Sequence, residues 1–322
     1  MTLRWGIIGA GGIAHRRTMS AINVAENNKL QALMVRDLER ARKLAEEHGV
    51  PSYYDSVDGV LTDPEVDAVH VATPVYLHCD HVIRAAEHGK HVLCEKPMAM
   101  NVDECKRMME ACHQNGVKLE ICFLLRFHPQ YREIKQLIEN GDLGQIIQAR
   151  CSLLKWYTIE EGLWRRDPAR AGGGVLMDMG PHAIDLLSYL LGDVSMVTAF
   201  IDSRIGGWKV EETATVLMQT KTGVHVIAST SFVIPHDGSM LEIYGSKGTV
   251  LITGGKVRIY IGDDVRELSG TSENLYTPQV EHFVRYINGK EDPVAPGMAG
   301  LKNIQIISAA YESARTGRIV SI

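Results

Sequence analysis

Lys96 stands directly after an apolar run, in the segment HVLCEKPMA that occupies residues 91–99. Residues 92–94 are typical of the end of a buried strand, so the lysine is predicted at the carboxyl end of that strand. Open α/β sheets bind their ligands at this edge. Which ligand group the ammonium meets there depends on the other motifs of the chain.

A second candidate for chemistry is the run GGGVLMDMGPHAIDLL, residues 172–187. The glycines lead into a predicted helix over residues 178–191, on which Asp178 and His182 are four residues apart and therefore share a face. A histidine held by a carboxylate is a plausible proton acceptor near neutral pH. The pair is also explained if Asp178 caps the helix and His182 is a hydrogen-bonded core residue, so it does not assign an activity alone.

A glycine-rich turn points to a nucleotide. Residues 9–14 read GAGGIA, a G-x-G-x-x-A pattern between a predicted strand, residues 3–8, and a predicted helix, residues 13–23. Small residues let the backbone approach a pyrophosphate, and the helix amino terminus favours its negative charge. A tight turn alone also needs glycine, but the position at the head of a βαβ series favours dinucleotide binding. The predicted contacts are Gly9, Gly11, Gly12, Ile13 and Ala14.

The residues after the second predicted strand bear on which dinucleotide binds. That strand ends Met34-Val35-Arg36-Asp37. An acid would suit the ribose of NAD, whereas a cation suits the 2′-phosphate of NADP. Arg36 offers a forked donor pair and Val35 does not repel a phosphate, so the sequence favours NADP. NAD stays as the alternative, since Arg36 could be a solvated residue and Asp37 a helix cap.

Composition excludes several classes of protein. The 322 residues are 45% hydrophobic and 23% charged, which is ordinary for a globular chain of two domains. The net charge of -5 supplies no basic field, so a nucleic-acid partner is not expected. No apolar run approaches the length of a membrane span, and the apolar segment near residue 5 is too short for a signal peptide.

The cysteines show no paired spacing. The six of them are predicted to be reduced, mostly buried thiols of a cytoplasmic protein. His78, Cys79 and His81 lack a second ligand pair, so we interpret them as residues of a helix surface and predict no metal site.

The order of predicted elements gives the fold class. Short apolar strands alternate with helices up to residue 122, which predicts an α/β domain, a doubly wound parallel sheet of the Rossmann type. From residue 123 onward, strands follow one another with few helices, which predicts an α+β domain on a mostly antiparallel open sheet. The predicted domains are residues 1–122 for the dinucleotide and residues 123–322 for substrate binding and oligomerisation.

Taken together, these motifs resemble one family. GAGGIA, ATPVYLH at residues 72–78, CEKP at residues 94–97 and GGGVLMDMGPHAID are similar to the Gfo/Idh/MocA family of nicotinamide-dependent oxidoreductases. The likeness covers nearly the whole chain, including Trp164-Arg165, Tyr244-Gly245 and the closing AAYESARTGRIVSI. Val75 departs from the family pattern, where asparagine is common.

The resemblance implies roles for the reactive residues. Lys96 would lie beside the nicotinamide with a cis Lys96-Pro97 bond, and Asp178 and His182 would complete the polar cluster. We expect His182 to be the principal acid/base, Lys96 the cation that positions the oxygen, and Asp178 the group that orients either one; the first two roles could exchange. Further cofactor contacts are implied at Thr73, Pro74, His78, Glu95, Lys96, Trp164 and Arg165.

The expected reaction is hydride transfer between NADP, or NAD, and a secondary hydroxyl or ketone of a sugar, cyclitol or related diol. Expected substrate contacts are Lys96, Arg126, Trp156, Asp178 and His182. Trp156 could stack on a sugar ring, or be a core or interface residue, and Arg126 or Arg166 could hold a sugar acid. Two alternatives on the same fold are a cofactor-binding regulator and an NAD-dependent glycoside hydrolase. Members of the family often form dimers or tetramers through the open sheet, so the resemblance implies a homodimer or homotetramer.

Overall fold

The computed structural model describes residues 2–157, 164–236, 240–268 and 274–322. The chain divides into two compact units. The first comprises Met1–Leu124 and Glu273–Leu301, and the second Leu125–Ser272 and Lys302–Ile322. Among the described helices, none is both long enough and apolar enough to cross a bilayer.

A six-stranded parallel sheet forms the centre of the first unit, with the order β3-β2-β1-β4-β5-β6. Its strands are β1 (Leu3–Ile8), β2 (Asn28–Met34), β3 (Ser52–Tyr54), β4 (Ala68–Val71), β5 (His91–Cys94) and β6 (Leu119–Ile121). The strand β1 pairs in parallel with β2 on one side and β4 on the other, so the strand order reverses there. The predicted doubly wound sheet is confirmed. Ligands of such sheets bind at the carboxyl ends of the strands, next to this reversal.

Helices connect these strands: α1 (Met19–Val24), α2 (Leu38–His48), α3 (Val57–Thr62), α4 (His78–Glu87) and α5 (Val102–Gln114). A π-helical turn, Ala14–Thr18, precedes α1, and a 3₁₀ turn, Val75–Leu77, precedes α4. The caps are those that the sequence favours, since Asp37 accepts from the Arg40 amide at 3.0 Å and Asn101 from the Glu104 amide at 2.9 Å.

The second unit contains a nine-stranded sheet in the order β14-β13-β12-β11-β7-β10-β9-β8-β15. Of its neighbouring strands in the described residues, β7 and β10 pair in parallel and the others antiparallel. This confirms the mostly antiparallel sheet. The strands are β7 (Ile146–Leu154), β8 (Val194–Asp202), β9 (Thr213–Thr220), β10 (His225–Ser231), β11 (Met240–Gly245), β12 (Gly248–Thr253), β13 (Lys256–Ile261), β14 (Asp264–Leu268) and β15 (Val320–Ser321).

Helices of the second unit include α6 (Pro129–Glu139), α7 (Pro168–Ala171), α8 (Val175–Asp178) and α9 (Gly180–Leu191). The single helix predicted over residues 178–191 is divided, because Met179 interrupts it between α8 and α9. The largely apolar α9 packs on β7 and β10. The opposite face of the sheet is exposed, as Phe200 on β8 and Leu217 on β9 show.

After β14 the chain forms α10 (Tyr276–Ile287) and then α11 (Gly297–Thr316). Unlike the predicted second domain of residues 123–322, residues 273–301 belong to the first unit. The reason is apolar packing: α10 buries Val280 and Phe283 in the same core cluster as Trp5 of β1. The rings of Trp5 and Phe283 are 5.4 Å apart. This contact joins residues far apart in sequence, so local patterns do not reveal it.

Candidate functional site

Gly9 begins the turn that follows β1, and its neighbours require a glycine. It has a φ of +93°, and a Cβ atom there would lie 2.9 Å from Thr73 Cγ2 and 3.0 Å from the Ala72 carbonyl oxygen. The amides of Gly9 and Ala10 both donate to the Met34 carbonyl, which ties the turn to the end of β2. The backbone is thus held as a compact cradle. The helix that follows directs its first N–H groups toward this edge, as pyrophosphate binding requires.

Two arginines flank this turn at the start of α2. Val35 is buried and Arg36 is exposed, as expected of a side chain that faces a ligand or solvent. Asp37 caps the helix, which confirms the alternative considered for it. Arg40, which is not among the predicted cofactor contacts, places its Nη2 3.4 Å from the position of a Cβ on Gly11. Its place in the first turn of α2, directly after the cap Asp37, was the available signal.

The loop after β4 is fixed by two buried histidines. The ring nitrogens of His78 face the Thr73 carbonyl at 2.8 Å and the Pro97 carbonyl at 3.0 Å, so this side chain connects two loops at the sheet edge. Burial lowers the pKa of His78 despite these carbonyls. His81 contacts the Thr73 hydroxyl at 3.1 Å, and burial lowers its pKa to about 4.

These histidines also correct one expectation. His78, Cys79 and His81 are all buried, so they are not the helix-surface residues that the sequence analysis predicted. The α4 segment carries them against the sheet rather than toward solvent. A cofactor contact by Thr73, Pro74 or His78 stays a prediction.

Lys96 follows β5 directly and is half-buried, and the Lys96-Pro97 bond is cis, as the resemblance implied. The preceding Glu95 is buried, and its carboxylate turns to partners inside the unit. Oε1 accepts a 2.6 Å hydrogen bond from the Tyr276 hydroxyl and lies 3.4 Å from His70 Nε2, while Oε2 accepts from the Lys96 amide at 3.3 Å. Burial alone would raise the pKa of Glu95, but these contacts and the Lys96 charge hold it below its usual value.

These partners change how Glu95 is interpreted. Each of its oxygens has a partner within the first unit, and the whole side chain is almost sealed from solvent. A contact between Glu95 and a cofactor stays a prediction. In the structure, the buried Glu95 side chain anchors the backbone that continues directly into Lys96.

In the second unit, the glycine run before α8 is held by close packing. A Cβ on Gly174 would lie 1.9 Å from the Glu211 carbonyl oxygen, and one on Gly173 would lie 1.8 Å from the Tyr311 hydroxyl. The Glu211 carboxylate in turn accepts from the Leu176 amide at 2.9 Å and from the Tyr311 hydroxyl at 2.7 Å. These contacts fix the segment that leads to Asp178.

Asp178 ends α8 and His182 lies in the first turn of α9, both half-buried. The Arg165 guanidinium lies over the Trp164 ring at 4.4 Å, and its Nε is 3.7 Å from Asp178 Oδ2. The second unit therefore gathers Trp164, Arg165 and Asp178 into one cluster. A cation and an acid held together in this way suit the binding of polar groups.

The predicted substrate residues differ in their surroundings. Arg126 forms a two-point ion pair with buried Asp185, at 3.0 and 2.7 Å, so its guanidinium already holds a carboxylate. Trp156 is 55% exposed, which leaves its ring accessible. Arg166 stacks on the Trp208 ring at 5.0 Å. Substrate contacts by Arg126 and Trp156 stay predictions.

Comparison with known proteins places these features in context. Residues 3–123 match the family described as the Gfo/Idh/MocA oxidoreductase family, NAD-binding Rossmann fold. Residues 131–251 match the C-terminal domain of the same family.

Individual relatives match over the full length. A 1,5-anhydro-D-fructose reductase of Ensifer adhaerens is 30% identical over 99% of this chain and 98% of its own. A D-xylose 1-dehydrogenase (NADP(+)) of Haloferax volcanii is 29% identical over 99% of this chain and 100% of its own. The crystal structure of aldose-aldose oxidoreductase from Caulobacter crescentus, complexed with glycerol, aligns over 100% of both chains with a TM-score of 0.93 and 29% identity.

Proposed function

The chain belongs to the Gfo/Idh/MocA family of oxidoreductases, and we propose that it transfers a hydride between a nicotinamide dinucleotide and a secondary hydroxyl or ketone of a sugar, cyclitol or related diol. One observation carries the proposal. Four neighbouring parallel strands bring the glycine turn, the Arg36 segment, the Thr73 loop and Lys96 to the same edge of one sheet. The names of the matched reductase and dehydrogenase support the substrate class.

We propose a separate role in the reaction for each of Lys96, Asp178 and His182. Oxidation of a secondary alcohol needs a hydride acceptor, a base for the hydroxyl proton and a group that stabilises the developing alkoxide. The bound nicotinamide supplies the first. We assign His182 as the acid/base, Lys96 as the cation that positions the oxygen and lowers its pKa, and Asp178 as the orienting carboxylate. An exchange of roles between Lys96 and His182 is the alternative assignment.

Turnover tests this assignment. We would follow the absorbance of reduced nicotinamide with pyranoses, cyclitols, sugar acids and diols, and with keto-sugars for the reverse direction. Lys96→Met and His182→Ala should both abolish turnover. The glycine turn is intact in both, so the cofactor should still bind, with a loss of affinity confined to Lys96→Met because Lys96 is also an expected cofactor contact. Lys106→Met and His113→Ala, both on the exposed face of α5, are the matched controls. Tight cofactor binding without turnover of any substrate would contradict the proposal and favour a regulator.

Arg36 and Arg40 favour NADP as the cofactor. Both are exposed, Arg36 directly before the cap Asp37 and Arg40 in the first turn of α2, where its Nη2 approaches Gly11 of the glycine turn. Buried Val35 brings no negative charge to this point. Two guanidinium groups suit a 2′-phosphate, because each can donate two parallel hydrogen bonds to it. The naming of NADP(+) for the relative in Haloferax volcanii is consistent with this preference.

Cofactor titrations distinguish NADP from NAD. Arg36→Ala and Arg40→Ala should each weaken NADP binding by about 10- to 100-fold, the loss of a charged hydrogen bond, and leave NAD binding nearly unchanged. Arg42→Ala is the matched control, because Arg42 lies on the same helix and pairs with Glu39 and Glu46. Equal losses for both cofactors would contradict a phosphate contact.

The exposed face of the second sheet is the proposed homo-oligomer interface. Phe200 is 83% exposed and Leu217 46% exposed on neighbouring strands, and apolar side chains of this size are usually covered. Phe200→Lys should shift the protein to smaller species in sedimentation velocity. Val24→Lys should not, because Val24, an exposed apolar residue at 68%, lies in the first unit and not on this sheet. An unchanged sedimentation coefficient for Phe200→Lys would contradict this interface.

The cytoplasm is the proposed compartment. All six cysteines are free and buried, which confirms the prediction for the thiols. Unpaired thiols are typical of proteins in a reducing compartment.

A further inference from the structure

His15, Glu47 and His48 bring two imidazole rings and a carboxylate together on the surface of the first unit. His15 Nε2 lies 3.3 Å from Glu47 Oε1, and His48 Nε2 lies 3.7 Å from the same oxygen. The potential ligand atoms of all three residues are within 4.8 Å of one another. We propose that these residues form a binding site for a divalent transition-metal ion of the Zn²⁺ class, independent of the proposed redox reaction.

The distances are close to those of a coordinated ion. Zinc bonds to histidine and carboxylate are about 2.0–2.2 Å long, which separates tetrahedral ligand atoms by about 3.4 Å. The His15 and Glu47 atoms already have this separation, and those of His48 and Glu47 exceed it only slightly. Rotation of the exposed Glu47 carboxylate closes the remaining gap, because that side chain is 58% exposed whereas His48 is largely buried. The rings of His15 and His48 meet edge to face with centroids 5.4 Å apart, so they converge without stacking.

The polar atoms of the cluster are incompletely satisfied. His48 Nε2 is buried and makes no hydrogen bond among the described residues. Glu46, one position before Glu47, pairs with Arg42, whereas the ion-pair partners recorded for Glu47 in the described part of the chain are the two imidazoles. An orphaned imidazole nitrogen aimed at a carboxylate is the arrangement that a bound cation would complete.

The scaffold beneath the cluster is well defined. Glu47 and His48 lie in the last turn of α2, which Gly49 ends in a left-handed conformation. The side-chain amide of Asn23 donates to the His48 carbonyl at 3.2 Å and so ties this turn to α1. His15 lies in the π-helical turn that follows the glycine turn. An ion would therefore connect the helix after the glycine turn to the carboxyl end of α2.

The donor set indicates the kind of ion. Two nitrogens and one oxygen suit Zn²⁺, Cu²⁺, Ni²⁺ or Co²⁺ better than Mg²⁺ or Ca²⁺, which prefer oxygen ligands. The Glu47 side chain is 58% exposed, so an ion can enter from solvent and keep a water ligand. By contrast, the cluster of His70, Glu95 and Cys122 is fully buried, and the Glu95 carboxylate already accepts from Tyr276.

Metal titration of the full chain, without a histidine tag, tests the site. Zn²⁺ affinity would be measured by competition with a chromophoric chelator, and Co²⁺ absorption would report nitrogen ligation. We expect one Zn²⁺ per chain, bound at least about 10-fold more weakly by His15→Ala and by His48→Ala, with loss of the Co²⁺ spectrum. Zn²⁺ should also raise the melting temperature of the wild type but not of His48→Ala.

Matched variants make the result decisive. His113→Ala removes an exposed histidine elsewhere in the first unit and should leave Zn²⁺ affinity unchanged. Unchanged cofactor affinity of metal-free His15→Ala and His48→Ala would show that both variants are folded. The site is refuted if the wild type takes up no Zn²⁺, if both histidine variants bind it as the wild type does, or if His113→Ala weakens binding equally.

Discussion

The hydroxyl of Tyr276 donates a 2.6 Å hydrogen bond to Oε1 of Glu95, across a sequence separation of 181 residues. Both side chains are buried. The bond ties α10 to the residue that precedes Lys96. A segment far along the chain thus holds the backbone that presents the proposed catalytic lysine.

Tyr276→Phe should therefore destabilise the first unit. The variant keeps the ring and removes one hydrogen bond from a buried carboxylate, so the free energy of unfolding should fall by about 1–3 kcal/mol. Urea denaturation at neutral pH measures this change. Tyr53→Phe, with its ring 39% exposed on β3, is the control and should have little effect. Equal stability of Tyr276→Phe and the wild type would show that the bond contributes nothing.

Asp67 should make stability depend on pH in the acid range. Burial tends to raise its pKa, but the Arg4 side chain and amide, at 2.7–2.9 Å, hold the pKa below its usual value. A carboxylate of depressed pKa stabilises the fold above about pH 4, the value for the unfolded chain, and loses this contribution as the pH falls through the folded pKa. Asp67→Asn should be less stable than the wild type at pH 7, with a difference that shrinks below about pH 4. Asp142→Asn, on an exposed turn, should show no such convergence.

His81 should make the free energy of unfolding depend on pH over a different pH range. Its folded pKa of about 4 lies below the unfolded value of about 6.5, so between these values the unfolded chain binds a proton that the folded chain does not. The free energy of unfolding should therefore decrease as the pH falls from about 6.5 to about 4, by up to about 3 kcal/mol from this group. His81→Gln should flatten that part of the profile. A profile as steep as that of the wild type would rule out His81 as its source.

Gly174→Ala should damage the second unit more than Gly173→Ala. The added methyl group meets the Glu211 carbonyl at 1.9 Å in the first case, and backbone must move to relieve it. In the second case the closest atom is the hydroxyl oxygen of Tyr311, a side-chain atom rather than backbone. Overpacking of this kind costs about 1–3 kcal/mol, and we expect Gly174→Ala at or above the upper end. Thermal melts of the two variants provide the comparison, and the reverse order would contradict it.

Local patterns predicted the elements that carry the motifs. The strand predicted over residues 3–8 agrees with β1, because an apolar run defines it, and Asp37 caps α2 as one interpretation of the sequence had it. The short edge strand β3 and helix α3 were missed, since neither has a long periodic pattern. Helix α6 was also missed, although Pro129 at its first position was a usable signal.

Contacts between residues far apart in the chain could not be predicted from the sequence. The partners of Glu95 are His70 and Tyr276, from β4 and α10, and no spacing rule links these positions. The same applies to Glu211, whose fit against Gly174 explains the glycine run only after folding. The chemistry-bearing residues could thus be identified from sequence, whereas the residues that hold them in place could not.

The return of α10 to the first unit has a consequence for synthesis on the ribosome. A nascent chain that has released only residues 1–124 lacks Val280 and Phe283, which help to bury Trp5 in the finished core. Part of the apolar core beside the parallel sheet therefore stays uncovered until roughly the next 150 residues have emerged. The first unit is thus the first to be synthesised in part, but its core is completed only after most of the second unit has been synthesised.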